Sequence, residues 1–239
     1  MHARTIPSRT LRTGVAAALV SLAAIPAAGA QNCLGLPSFA AAPMRIDGGL
    51  STGNDATSFT IGASIGAARG PFGSLAYDRT NFDDEGTSID LSANGFTIAG
   101  GYELNLTSSA SGPRVVPISL CPVASYSWSK MDFDELGDDI DVSARKLSLG
   151  FAIGAPVASS SSLSVVPFGR LQFVHATGSV EAFDVDEDES EQGGQLDLGV
   201  GLVLNRLFTI RPLVSIPIGF DDLDTSFGVT VHFNFGKAR

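Results

Sequence analysis

Residues 194–235 read GQLDLGVGLVLNRLFTIRPLVSIPIGFDDLDTSFGVTVHFNF. Leu196, Leu198, Val200, Leu202 and Leu204 alternate with Asp197, Gly199, Gly201 and Val203. After Asn205-Arg206 the alternation restarts, with Phe208, Ile210, Pro212, Val214 and Ile216 against Thr209, Arg211, Leu213 and Ser215. Beyond the acidic run 221–224 it restarts again, with Phe227, Val229, Val231, Phe233 and Phe235 against Gly228, Thr230, His232 and Asn234. A period of two means strands. One face of each strand is bulky and apolar. The other is small or polar and carries Asp197, Arg211 and His232. A soluble barrel keeps its greasy face inside. The reverse distribution suits an antiparallel, up-and-down transmembrane β-barrel, apolar outside and polar inside.

Working outward, the same alternation recurs upstream. Candidate strands fall at about 43–50, 58–69, 72–82, 88–106, 114–129, 141–155 and 163–179. With the three above they make ten, eight being the alternative. The segment 88–106 changes phase, from Leu91 and Ala93 to Phe96 and Ile98, which predicts a β-bulge at Asn94-Gly95. Pro117 and Pro122 lack an amide hydrogen and must sit at irregular points of their strand. Alternate connections differ in chemistry. Those after 58–69, 88–106, 141–155 and at 205–206 hold no acidic residue, whereas 83–87, 130–140, 181–193 and 221–225 hold most of the chain's carboxylates. One end of the barrel is therefore acidic. Outward aromatics are expected in two girdles: Phe59, Tyr77, Tyr126, Trp128, Phe220 and Phe227 near the acidic end, and Phe72, Phe208, Phe233 and Phe235 near the other.

The N-terminus has the marks of an export signal. Arg4, Arg9 and Arg12 precede an apolar run over 14–26, and Ala28-Gly29-Ala30 is a small-residue cleavage site. The organisation expected is a signal peptide over 1–30, a periplasmic leader or partial plug over 31–42, and a barrel over 43–236. The whole chain carries 15 basic and 25 acidic residues. Without the three signal arginines the balance is 12 against 25, or −13, which argues against nucleic-acid binding. Two cysteines in an oxidising compartment, Cys33 and Cys121, suggest one disulfide, with two unpaired thiols as the alternative. Paired, they would tie the leader into the barrel.

The signal peptide, the alternation over 43–236, the loop rhythm and the closing run Val231-His232-Phe233-Asn234-Phe235 resemble small bacterial outer-membrane barrels of the OmpA/OmpX/OmpW type. Gly236-Lys237-Ala238-Arg239 after Phe235 departs from that family, whose last strand usually ends on its aromatic residue. The resemblance implies an outer-membrane location with both termini periplasmic, and contacts with outer-membrane lipid and the barrel assembly machinery.

Arg45, Asp47, Asp78, Glu103, Lys146, Arg170, Gln172, Asp197, Arg211 and His232 share the inward face. A near-balanced set of charges predicts paired ions filling the interior. The rival reading is a narrow solute channel, in which inward glycines such as Gly62, Gly66, Gly154, Gly199 and Gly201 leave space. In the acidic stretch, Asp184, Asp186 and Asp188 offer loose ligands for divalent cations, but the glycine of a calcium loop is replaced by Glu189. Omptin proteases, also ten-stranded, use acids and a histidine at the rim. His175, with Glu181 and Asp184 beyond it, is the position to compare, but no Asp–His pairing is visible, and a lipid hydrolase or a secreted soluble barrel has no clearer mark. No cofactor motif is present. The expectation is a non-enzymatic structural or interaction protein, or a narrow channel.

Overall fold

The computed structural model describes residues 32–37, 39, 42–53, 56–67, 70–82, 91–106, 118–133, 140–160, 162–182, 185–220 and 224–236. The expected signal peptide, Asp184 and most of the tips at the acidic end lie outside these residues.

Ten strands form one antiparallel sheet: β1 (Met44–Thr52), β2 (Ala56–Gly66), β3 (Pro71–Phe82), β4 (Leu91–Tyr102, resuming over Leu104–Leu106), β5 (Ile118–Phe133), β6 (Ile140–Gly154), β7 (Leu163–Ala182), β8 (Val185–Leu204), β9 (Phe208–Ile218) and β10 (Ser226–Phe235). Each pairs with the next, and β10 returns to β1 in register from Met44↔Phe235 to Thr52↔Phe227. The sheet is thus a closed up-and-down barrel of ten strands, which excludes eight. Closure satisfies every edge, the condition for a sheet in hydrocarbon.

The prolines explain two lapses in the ladder. Between β4 and β5 the pairing runs to Gly101↔Val123 and resumes at Leu104↔Leu120, missing two pairs, one of which holds Pro122. Between β8 and β9 it runs to Gly199↔Leu213 and resumes at Leu202↔Ile210, again missing two pairs, one of which holds Pro212. Register is unchanged across both, as expected when one amide donor is removed and nothing is inserted.

Three sequence expectations are corrected. No bulge interrupts β4: pairing with β3 is continuous from Phe82↔Leu91 to Pro71↔Tyr102. Ala93 points inward at 1% exposure. The apparent phase change arises because, towards the acidic end, the outward positions become Ser92 and Asn94 while the apolar residues move inside. The second correction is that 185–193 is not a loop. It extends β8 in register with β7 from Val185↔Ala182 onward. Its alternation is invisible because both faces are polar. The third is Phe72, which is buried inside the barrel and not in an outer girdle.

All ten strands carry large apolar side chains on the outside, among them Leu50 (61% exposed), Ile65 (60%), Phe151 (62%) and Phe227 (63%). A continuous apolar belt of this kind is what lipid, and not water, would cover. At the end where β1 starts and β10 finishes, β8 and β9 are joined by a tight turn. Asn205 (φ 50°) and Arg206 (φ 59°) take left-handed backbone there. Asn tolerates that region well, and the Leu207 amide donates to the Leu204 carbonyl at 3.1 Å.

Candidate functional site: the filled interior

The inward face is filled from two sources: the barrel's own charged side chains and a stretch of leader. The leader enters at the turn end. Asn32–Leu34 form a short 3₁₀ turn, and Gly35 (φ +71°) reverses the chain in a conformation that favours glycine. Cys33, Leu34, Leu36 and Phe39 are at most 2% exposed. They pack with Phe72, Cys121, Val123 and Ala152 of the wall into one apolar cluster. Cys33 is joined to Cys121 of β5 by a disulfide with a Cα–Cα distance of 6.0 Å.

The small inward residues make this possible. A Cβ at Gly201 would overlap the Gly35 carbonyl, and one at Gly154 would overlap the Asn32 carbonyl. The main chain of the leader lies directly against the wall, in the space that larger side chains would occupy. Gly66 receives the Phe39 ring in the same way. The inward glycines therefore do not leave an open path here. They form the seat of the plug.

Around and above the plug sit the nine charged residues singled out in the sequence. Arg45, Asp47, Asp78, Glu103, Lys146, Arg170, Asp197, Arg211 and His232 all point inside, none more than 7% exposed. They divide into two groups. In the first, Asp197 is the hub. Arg170 grips its Oδ2 with both Nε (2.6 Å) and Nη2, while Gln195 Nε2 (2.7 Å) and the Ser215 hydroxyl (2.6 Å) donate to Oδ1. Sequence neighbours in the ladder bring this about, since Asp197 lies opposite Arg170 on one side and Ser215 on the other. A buried carboxylate with four donors is well compensated for lost water.

In the second group the hydrogen bonds of the two arginines go to neutral partners. Arg45 donates from Nε to Asn234 Oδ1 (2.6 Å) and from Nη2 to the Pro37 carbonyl of the plug (2.7 Å), with its guanidinium 4.7 Å from the Phe39 ring. Arg211 donates from Nη1 to the Leu34 carbonyl (3.0 Å) and from Nε to the Thr230 hydroxyl (3.1 Å), and it lies over Phe168. The arginines thus hold the leader's backbone. Asp47 lies 4.0 Å from His232 Nδ1, opposite it across the β1–β10 seam. His232 Nε2 shares a 2.8 Å hydrogen bond with Thr230. Asp78 interacts electrostatically with Lys146, and Glu103 accepts from the Ser119 hydroxyl at 2.9 Å. Phe168, Gln195, Ser215, Thr230 and Asn234 were not singled out in the sequence. Their positions in phase with Arg170, Asp197, Arg211 and His232 were the signal that could have found them.

The remaining candidates lie apart. His175 is half-buried on the outer face, between Leu147 and Gln192 in the ladder. Asp188 is exposed on β8, and the side chain of Asp186 and that of Glu181 lie outside the described set. No cluster of three metal-ligating side chains occurs among the described residues.

These features define a closed barrel of membrane type with its own N-terminal segment inside. No protein-family model matches the chain, and no curated protein matches it. Solved structures do match, and they are outer-membrane β-barrels. Ail, the attachment invasion locus protein of Yersinia pestis, is 14% identical, with 81% of this chain and 99% of that chain covered at a TM-score of 0.42. The N-terminal barrel domain of Pseudomonas aeruginosa OprF is 9% identical, with 80% and 96% covered at 0.38. The KdgM porin is 11% identical, with 80% and 99% covered at 0.33. The functional reading rests on this chain's own residues.

Proposed function

We propose that this chain is a bacterial outer-membrane barrel stoppered by its own leader, serving at the cell surface as a structural or interaction protein and not as an open channel. The observation that carries this reading is the plug: Cys33, Leu34, Leu36 and Phe39 fill the turn end of the lumen and are held there by a disulfide and two arginines. The belt of exposed apolar residues supports lipid as the surrounding medium. The connections at the end where β1 starts and β10 finishes hold no acidic residue, and the Asn205-Arg206 turn there is tight, which supports a periplasmic side. An oxidising periplasm suits the disulfide. Lipid and the barrel assembly machinery are the expected partners, with no nucleic acid and no resident cofactor. The acidic strand ends, Asp188 and Glu189 among them, are open to loose association with divalent cations.

We read the chain as non-enzymatic. His175 faces outward beside Leu147, at the level of the belt and not inside the rim, which argues against an omptin-like or lipid-hydrolase site. Two measurements test the proposal. Outer-membrane fractionation with a heat-dependent gel shift should find a folded barrel in the membrane, and recovery in the soluble fraction would refute it. Planar-bilayer recording should show no steady conductance for the oxidised protein, and a stable open pore would restore the channel reading.

A further inference from the structure

The outward-facing cations of the described strands are not scattered. Arg45, Lys146, Arg170 and Arg211 point inside. Arg79 on β3, Lys130 on β5 and Arg145 on β6 are exposed on the outer face. Cross-strand register places these three together. Arg79 is opposite Asn94, Asn94 opposite Lys130, and Lys130 opposite Ser143, giving one row across four neighbouring strands. The row below it, nearer the belt, is Tyr77, Phe96, Trp128 and Arg145, each opposite the next. Phe96 stacks on Trp128 with ring centroids 5.2 Å apart, and the Tyr77 hydroxyl donates to Asn94 at 2.6 Å. An aromatic shelf thus lies directly beneath a cationic arc, at the upper edge of the apolar belt.

At Arg145 the arc meets a cleft of about 480 Å³ on the outer surface, lined on its near side by Ser143, Arg145, Thr177 and Ser179 and on its far side by Asp188 and Glu189 of β8. We propose that this arc and cleft bind the phosphorylated headgroup of a membrane lipid, whose acyl chains run down the belt below the aromatic shelf. The inference rests on the membrane reading above. Three things favour a phosphate over another occupant. Arginine presents a planar fork of donors that matches phosphate oxygens, and serine and threonine hydroxyls add neutral donors beside it. Aromatic rings at an interface pack against the glycerol and upper-chain region. Finally, in a chain with a net charge of −10, three outward cations within four neighbouring strands form a local attraction for anions that the acidic end otherwise repels. The carboxylates of β8 set the site's far limit, so the phosphate seats towards β3–β6.

Trp128 is the single tryptophan of the chain and lies in the shelf, so it reports directly on the lipid at the site. The full chain is reconstituted in phosphatidylcholine vesicles holding a minor share of phosphatidic acid, with bromine on the acyl chains of one lipid or the other. Phosphatidic acid should quench Trp128 as though enriched about fivefold or more over its bulk share, the effect of at least one cation beside an anionic headgroup. The triple variant Arg79→Gln, Lys130→Gln, Arg145→Gln should return quenching to the bulk share. Arg206→Gln, at the opposite rim, should leave the enrichment intact. A heat-dependent gel shift checks that every variant is folded. Bulk-share quenching in the unmodified chain, or enrichment that survives the triple variant, would overturn the proposal. So would enrichment that requires added calcium and persists in the triple variant, which would move the site to the carboxylates. Absence of quenching by brominated phosphatidylcholine would instead overturn the membrane reading itself.

Discussion

The two levels of the barrel interior are filled by opposite means. At the turn end the lumen is closed by residues that belong to no strand, packed through apolar contact and one covalent bond. Higher up it is closed by the strands' own polar side chains, with Asp197 as a fully bonded centre. The first level can in principle be removed without changing a strand. The second cannot, because its members are part of the wall. A barrel wall built for lipid has to bury its polar groups inside, and most of them find partners there. The difference teaches that the charges hold the wall's shape and fill the upper lumen, while the leader seals the turn end.

Substitutions should separate the two levels. The largest loss is expected at Asp197. Asp197→Ala strands the Arg170 guanidinium and leaves Gln195 and Ser215 without their acceptor, costing about 3–5 kcal/mol. Urea unfolding in lipid vesicles should show a lowered midpoint, and replacing Arg170 and Asp197 together by Met and Leu should cost less than Asp197→Ala alone. A double variant that is no better than the single one would argue against the pair as the source. Next comes Cys33→Ser with Cys121→Ser. Opening a link between residues 88 apart in sequence should cost about 2–4 kcal/mol, and limited proteolysis should release the leader where the oxidised protein resists. Loss of the β-sheet signal itself would assign the disulfide to the wall.

A smaller effect is expected at the seat. Gly201→Ala places a Cβ on the Gly35 carbonyl, at a cost of about 1–3 kcal/mol in crowding. Limited proteolysis should then cut the leader faster while the barrel core stays resistant, and an unchanged cleavage rate would mean that the wall yields instead. Smallest of all, Asp188→Asn on the exposed end of β8 should shift stability by no more than about 0.5 kcal/mol. A larger shift in the unfolding midpoint would show that the acidic end takes part in the fold.

Much of the wall was legible because lipid on one side and a narrow lumen on the other impose strict alternation. Leu196 to Leu204 and Phe227 to Phe235 announce their faces without help from tertiary structure. Legibility fails where that contrast disappears. Above the belt both faces of 185–193 are polar, so an extended hairpin reads as a loop. At Leu91 and Ala93 the apolar side turns inward, so a straight strand reads as a bulged one. Phe72 shows a third limit. An aromatic ring near a barrel rim suits either face by composition, but Phe72 is six residues from inward Asp78 on an unbroken strand, so phase places it inside beside Phe39 and Leu36. The charged positions could be placed by phase, but their partners could not. Nothing local to Arg45 or Arg211 says that each will bond a carbonyl of the leader, because that pairing depends on where a non-periodic segment comes to rest.

One side chain joins two events that are separate in the sequence. Arg45 reaches Asn234, 189 positions away across the β1–β10 seam, and with another nitrogen of the same guanidinium it reaches Pro37, eight positions before it. The seam is the longest-range pairing in the molecule and so the costliest in chain entropy to form. A barrel that shut with its leader outside would leave Arg45 bonded to Asn234 alone, with the Nη2 donor buried and wasted. A leader docked before the ring shut would lack the Asn234 contact. Both of its hydrogen bonds form only when the ring is closed and the leader is inside, so this one guanidinium ties ring closure to the seating of the plug.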